Sequence, residues 1–210
     1  MNKVLDALRA FVRFYMKIIA RLLNTATRGR LSPSAITIIG AAAHIPIALA
    51  IAGGRLTLAA VLLIIFGLFD ALDGETARLQ NRESSRGMLL DATTDRMKEV
   101  FLYTGVCYYF IASEVPYLTP WVVLALGGSI LVSYVKAKGE AAVASSGLSA
   151  AKVNRLFQDG LIRFEVRMGL LVAGLLFDRV GIAVVIIALG AWMTALDRLI
   201  KISQKLGDRK

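Results

Sequence analysis

The sequence predicts an all-α membrane protein: six transmembrane helices preceded by an amphipathic helix that lies on one face of the bilayer. Three observations carry that expectation. The 210 residues are 57% hydrophobic with a mean hydropathy of +0.64, too apolar for an ordinary soluble domain. The apolar residues gather into runs near 34–53, 56–78, 88–112, 118–138, 161–178 and 180–200, each close to the length that crosses a hydrocarbon core. The basic residues are one-sided. With the N-terminus in the cytoplasm, only Arg55 and Arg179 fall in outer turns, and the rest of the 25 Lys and Arg lie on the inner side.

That asymmetry also interprets the net charge of +10. A basic inner surface suits the anionic headgroups of membrane lipids and phosphate-bearing substrates better than nucleic acid, which is excluded as a partner. Cys107 is the only cysteine and His44 the only histidine, which rules out an internal disulfide, a thiolate cage and a histidine-rich metal site. The start of the chain is charged and amphipathic, without the apolar core of a secretory signal. Connections this short leave room for one domain over 1–210, with a juxtamembrane helix in 1–30 and a six-helix bundle in 31–205. Both termini are expected in the cytoplasm of a multi-pass cell-membrane protein.

Taken in order, residues 3–21 place Lys3, Arg9, Arg13, Lys17 and Arg21 at helical spacing, opposite Leu5, Leu8, Val12, Tyr15, Ile19 and Leu22. This is the pattern of an interfacial anchor. Ser32-Pro33-Ser34 opens the first span, with serine to cap and proline suited to the first turn. Pro46 should kink that span, and His44 is expected as a packed, locally bonded residue. The second span runs inward from Arg55, so Asp70 and Asp73 fall about 22–27 Å along it, near the cytoplasmic boundary. A polar loop over 79–87 turns the chain, and the third span from Met88 returns Asp91 and Asp95 to the same depth. Helices joined so tightly are antiparallel neighbours. The Gly, Ala and Ser stretch 139–154 reads as a mobile cytoplasmic loop.

The chemistry concentrates between Asp70 and Asp95. Asp70 and Asp73 are three residues apart, and Asp91 and Asp95 four, so each pair shares one face of its helix. Unpaired carboxylates in a membrane helix cost several kcal/mol, and facing acids need a cation. Hard divalent ions such as Mg²⁺ or Mn²⁺ take carboxylate oxygens and complete their shells with phosphate and water. Four acids balance two such ions, an arrangement suited to displacement at phosphorus. Gly74 lets backbone approach a bulky anion. Arg78, one turn later, offers a guanidinium fork for a diphosphate, and Gly87 sits one turn before Asp91. Any one acid at a helix end is as readily a cap, but the joint spacing is highly specific.

The pattern Asp70-x2-Asp73-Gly74-x2-Ala77-Arg78-x8-Gly87-x3-Asp91-x3-Asp95 resembles, at every fixed position, the signature of the CDP-alcohol phosphotransferases. These membrane enzymes transfer a phosphatidyl group from a CDP-linked lipid to an alcohol and release CMP. The resemblance implies a first metal on Asp70, Asp73 and Asp91, and a second on Asp70, Asp91 and Asp95, with Asp95 as general base. It implies that Gly74 and Arg78 hold the diphosphate of CDP-diacylglycerol, assisted by Ser84. Ser34-Ala35-Ile36-Thr37 resembles the family's first-span nucleotide contact. It also implies a homodimer, for which Gly127 and Gly128 offer small residues.

Three details resemble the inositol-phosphate-using branch, the phosphatidylinositol phosphate synthases. They are Asp91-Ala92-Thr93-Thr94-Asp95-Arg96, Ser133-Tyr134-Val135-Lys136-Ala137-Lys138, and Arg198 near the end of the last span. The acceptor implied is inositol 1-phosphate, with glycerol 3-phosphate the alternative. Lys136, Arg198 and one or both of Arg163 and Arg167 would form a cationic pocket for its phosphate. The fifth span opens Arg163-Phe164-Glu165-Val166-Arg167, whereas the branch is Glu-Arg-rich there. A transporter or channel also keeps acids in the membrane, but it would spread them through the depth rather than gather them at one face.

Overall fold

The structure, a computed structural model, describes residues 2–144 and 162–207, and among these every regular element is helical. In order these are α1 (Asn2–Ala26), α2 (Pro33–Ala52), α3 (Leu56–Gly67), α4 (Phe69–Leu79), α5 (Ser85–Ala112), a short 3₁₀ turn (Pro116–Leu118), α6 (Thr119–Ala144), α7 (Phe164–Leu176) and α8 (Val180–Gly207). Four described stretches are long and apolar enough to cross a bilayer: Pro33–Ala52, Leu56–Leu79, Pro116–Ala142 and Val180–Gln204. The other two expected spans differ for physical reasons. Helix α5 carries Asp91, Asp95, Arg96, Lys98 and Glu99 within its first 15 residues, and α7 is only 13 residues long. Large apolar side chains such as Ile38, Leu49, Leu58, Ile64, Ile182 and Leu189 remain outward-facing and exposed. In water such a surface would drive aggregation, whereas in lipid it is at home.

The chain forms two compact units, one up to Gly105 and one from Val106. In the first, Ser32 caps α2 as expected: its Oγ accepts from Ala35 N–H at 3.2 Å, and Pro33 occupies the first turn. The helix runs on through Pro46. His44 is buried, its Nδ1 donating to the Gly40 carbonyl at 2.7 Å. Gly54, at φ +71°, closes α2 with the paired bonds Gly54 N–H to Ile51 O and Arg55 N–H to Ala50 O. A left-handed residue is what allows so tight a reversal into α3. Close helix approach depends on Gly105: a Cβ there would stand 2.5 Å from the Ala48 carbonyl oxygen.

The second span is not one continuous helix. It changes at Leu68, whose N–H bonds Ile65 O at 3.3 Å, a three-residue turn in place of the α-helical bond. Gly67, a poor helix former, precedes the change. Gly40 of α2 allows the contact just after it, since a Cβ at Gly40 would lie 3.0 Å from Phe69 Cβ. The turn ends two residues before Asp70, so the first acid pair lies in the hydrogen-bonded segment α4 that follows it. Past the last residue of α4, Leu79, the chain turns at Asn81 (φ 53°), with Asn81 N–H bonding Arg78 O and Arg82 N–H bonding Ala77 O. Ser84 then accepts from Gly87 N–H at 3.1 Å, which starts the next helix at Ser85 rather than Met88. The connecting loop is correspondingly shorter than the expected 79–87.

Helix α1 packs onto this unit through Met16 and Ala20, which meet Ile36 and Leu72, flanked by Val12, Leu23, Leu31 and Phe69. Phe11, Phe14, Tyr15, Ile18 and Leu22 stay exposed, so α1 has two apolar stripes where periodicity alone suggests one. In the second unit α6 packs along α8 through Val132, Ala191 and Ala195. Gly128 serves this contact, for a Cβ there would stand 3.0 Å from Ala191 Cβ and Trp192 Cδ1, while around Gly127 there is open space. The expected loop 139–154 begins later than composition suggests: 139–144 continue α6, and 145–154 lie outside the described residues.

Candidate active site

Helix α4 contributes Asp70 and Asp73, and α5 contributes Asp91 and Asp95, each pair at a spacing that stacks side chains on one face. The two faces meet. Asp70, Asp91 and Asp95 each offer a carboxylate oxygen, and the three oxygens lie within 4.8 Å of one another. Asp73 stands outside this group of three. It is buried, and its Oδ2 accepts from Thr37 Oγ1 of α2 at 2.5 Å, while the charges of Asp91 and Asp70 both bear on it.

The convergence includes a residue that the acid pattern did not reveal. Lys98 is buried, its side chain 3% exposed, and its ammonium bonds both Asp70 Oδ1 and Asp95 Oδ1. The signal was present in the sequence: Lys98 follows Asp95 by three residues and Asp91 by seven, on the same helical face. Arg96 extends the network, lying 3.8 Å from Asp95 Oδ2 and 3.9 Å from the wholly buried Glu99. Asp91 Oδ1 is buried with no hydrogen-bond partner among the described residues. A buried carboxylate oxygen with no donor is costly, and beside two further carboxylates it is the donor set a hard divalent ion requires. These residues fit such an ion.

The phosphate-binding candidates Gly74 and Arg78 lie on α4, the helix that carries the first acid pair. Arg78 Nη1 donates to Glu75 Oε1 at 3.0 Å, and Glu75 is buried on the same helix. Its Nε is 3.8 Å from Glu83, and half of the side chain remains exposed. Glu75, which the motif leaves unspecified, thus holds the guanidinium. A Cβ at Gly74 would lie 3.2 Å from Arg78 Nη2, so the glycine keeps that side of the fork open. Replacing Arg78 by Lys keeps the charge but loses the fork. The affinity for a diphosphate-bearing ligand is expected to fall about tenfold, the equivalent of one charge-assisted hydrogen bond worth about 1.5 kcal/mol. Equilibrium titration of the two proteins measures it.

The other candidates divide. Of the first-span segment, Ser34 is exposed, Ala35 gives its N–H to the Ser32 cap, Ile36 fills the apolar cluster under α1, and Thr37 binds Asp73. Ser84 caps the loop before α5. In the second unit, Arg198 is buried and donates to Val132 O at 3.3 Å, and Arg167, also buried, donates to Ile162 O at 3.1 Å. The charges of Arg167 and Arg163 both repel that of Arg198, offset by Asp197 and Glu140. Lys136 is exposed and lies 3.8 Å from Glu140 on its own helix.

Comparison with known proteins supplies the context for this geometry. Residues 30–196 match the CDP-alcohol phosphatidyltransferase family, and the chain belongs to that family. Phosphatidylinositol phosphate synthase of Corynebacterium glutamicum is 32% identical over 177 residues, covering 81% of this chain and 77% of that protein. Archaetidylinositol phosphate synthase of Pyrococcus horikoshii is 29% identical over 150 residues, 71% of each chain. Among solved structures, phosphatidylinositol phosphate synthase of Mycobacterium tuberculosis with CDP-DAG bound superposes with a TM-score of 0.75 at 28% identity, covering 89% of this chain and 92% of that one. The same enzyme in complex with manganese and citrate also gives a TM-score of 0.75, over 90% of this chain and 88% of that one.

Proposed function

We propose that this chain transfers the phosphatidyl group of CDP-diacylglycerol to a hydroxyl of inositol 1-phosphate, releasing CMP and leaving phosphatidylinositol phosphate in the membrane. The observation that carries this reading is the convergence of the Asp70, Asp91 and Asp95 carboxylates, with a buried Asp91 oxygen that lacks a hydrogen-bond partner among the described residues. Asp70, Asp73, Asp91 and Asp95 would hold divalent ions, Mg²⁺ or Mn²⁺, two when fully loaded. What such ions supply is neutralisation of the diphosphate and stabilisation of the charge that develops toward CMP. Arg78, held by Glu75, grips the diphosphate beside Gly74. Ser84 and the segment Ser34, Ala35, Ile36 and Thr37 line the donor, and Thr37 also fixes Asp73.

Asp95 accepts the proton of the acceptor hydroxyl. The oxygen then attacks the phosphorus that carries diacylglycerol. The bond from that phosphorus to the bridging oxygen breaks, and CMP leaves with the electron pair. Arg163, Arg167, Arg198 and Lys136 receive the acceptor phosphate; the mutual repulsion of Arg163, Arg167 and Arg198 in the second unit supports the assignment for those three. The names of the relatives support inositol phosphate over glycerol 3-phosphate. In this reading α5 and α7 complete six spans, α1 lies on the inner leaflet with Phe11, Phe14 and Leu22 in the headgroup region, and both termini face the cytoplasm. The working enzyme is a homodimer. Gly128, engaged by α8, is not available for its interface, whereas Gly127 is.

The test supplies purified protein with CDP-diacylglycerol and, separately, inositol 1-phosphate, glycerol 3-phosphate and serine. We expect a lipid product and CMP release with inositol 1-phosphate alone. Phosphatidylglycerol phosphate as the product would move the chain to the alternative branch. No transfer to any acceptor would refute the transferase reading.

A further inference from the structure

The carboxylate group contains its own cation, and this has a consequence for metal loading. Lys98 Nζ rests on Asp70 Oδ1 and Asp95 Oδ1, and its side chain is 3% exposed. Asp70 and Asp95 are two of the three residues whose carboxylate oxygens converge within 4.8 Å, and the third, Asp91, has a buried oxygen with no hydrogen-bond partner among the described residues. A lysine buried without partners would be strongly destabilising, so the ammonium and the two carboxylates stabilise one another. An ammonium seated between Asp70 and Asp95 competes with a divalent ion for the charge of the same two carboxylates.

We infer that Lys98 is a resident counter-ion of this site: it holds Asp70 and Asp95 together in the metal-free protein and is displaced when a divalent ion loads. The inference rests on the reading that these carboxylates bind such an ion. The lysine stem is flexible, so its head swings aside without moving the helix. Three carboxylates against one ammonium retain net negative charge, which still attracts a doubly charged ion. A monovalent ion gains little by replacing the ammonium, so Lys98 sets a threshold that favours divalent ions. Removing its charge should strengthen metal binding, the opposite of what loss of a merely structural residue would do.

The experiment measures Mn²⁺ binding to the purified full-length protein by electron paramagnetic resonance, with no CDP-lipid present. Lys98→Met should bind Mn²⁺ about tenfold more tightly than the parent, a typical coupling between interacting sites. Lys98→Arg, which keeps the charge, should stay within about twofold of the parent. Equal or weaker binding by a folded Lys98→Met protein overturns the inference and leaves the metal site standing. Absence of Mn²⁺ binding in the parent and the variant alike overturns both. If Lys98→Met does not fold, acetic anhydride labelling of the parent decides. Labelling of Lys98, read by mass spectrometry, should rise severalfold on adding Mn²⁺, and unchanged or reduced labelling overturns the inference.

Discussion

Asp95→Asn is expected to reduce CMP release from CDP-diacylglycerol by about a hundredfold or more, the contribution of a positioned general base. The amide preserves shape but has no lone pair basic enough to take the acceptor proton. It also weakens the site's hold on a cation, which adds to the loss. The fold should survive, because Lys98 keeps its bond to Asp70 and Arg96 keeps Glu99 within 3.9 Å. An unchanged elution volume and unfolding midpoint in detergent establish that the protein is intact. Turnover above about a tenth of the parent's would remove Asp95 as the base.

Stripping divalent ions should have the second large effect. With a chelator present, transfer should fall to background, and Mg²⁺ or Mn²⁺ should restore it. The reason is electrostatic. The donor diphosphate would otherwise meet Asp70, Asp73, Asp91 and Asp95, whose charge Lys98 and Arg96 offset only in part, and like charges at such distances repel by several kcal/mol. Because Lys98 already bridges Asp70 and Asp95, the stripped protein should remain folded and recover on reloading. Transfer that persists in chelator would separate this chain's chemistry from its acid cluster.

Much of the site was legible before any tertiary information. The spacing of Asp70 with Asp73 and of Asp91 with Asp95 places each pair on one helical face, and a short loop makes those helices neighbours. Both are local consequences of a 3.6-residue period. Ser32 as a cap, Pro33 in the first turn and His44 as a locally bonded residue follow from chemistry within four positions along the chain. Glu75 and Lys98 were missed because a motif search for acids and glycines passes over residues between its fixed positions. Their spacing, Glu75 three before Arg78 and Lys98 three after Asp95, is nevertheless the signal that would have found them.

The sequence by itself determined the class of the molecule: apolar runs that need lipid, and two acid-bearing helical faces that need a cation. Tertiary structure decided how those faces are used. It interrupts the second span at Leu68, ties Asp73 to Thr37 rather than to the other three acids, and buries Arg167 and Arg198 while Lys136 stays exposed with Glu140. It also commits Gly128 to packing inside the chain and puts an ammonium among the carboxylates. The physical reason is common to all of these. Helical period fixes which residues share a face, but rotation about each helix axis, set by packing against the neighbours, fixes what that face meets.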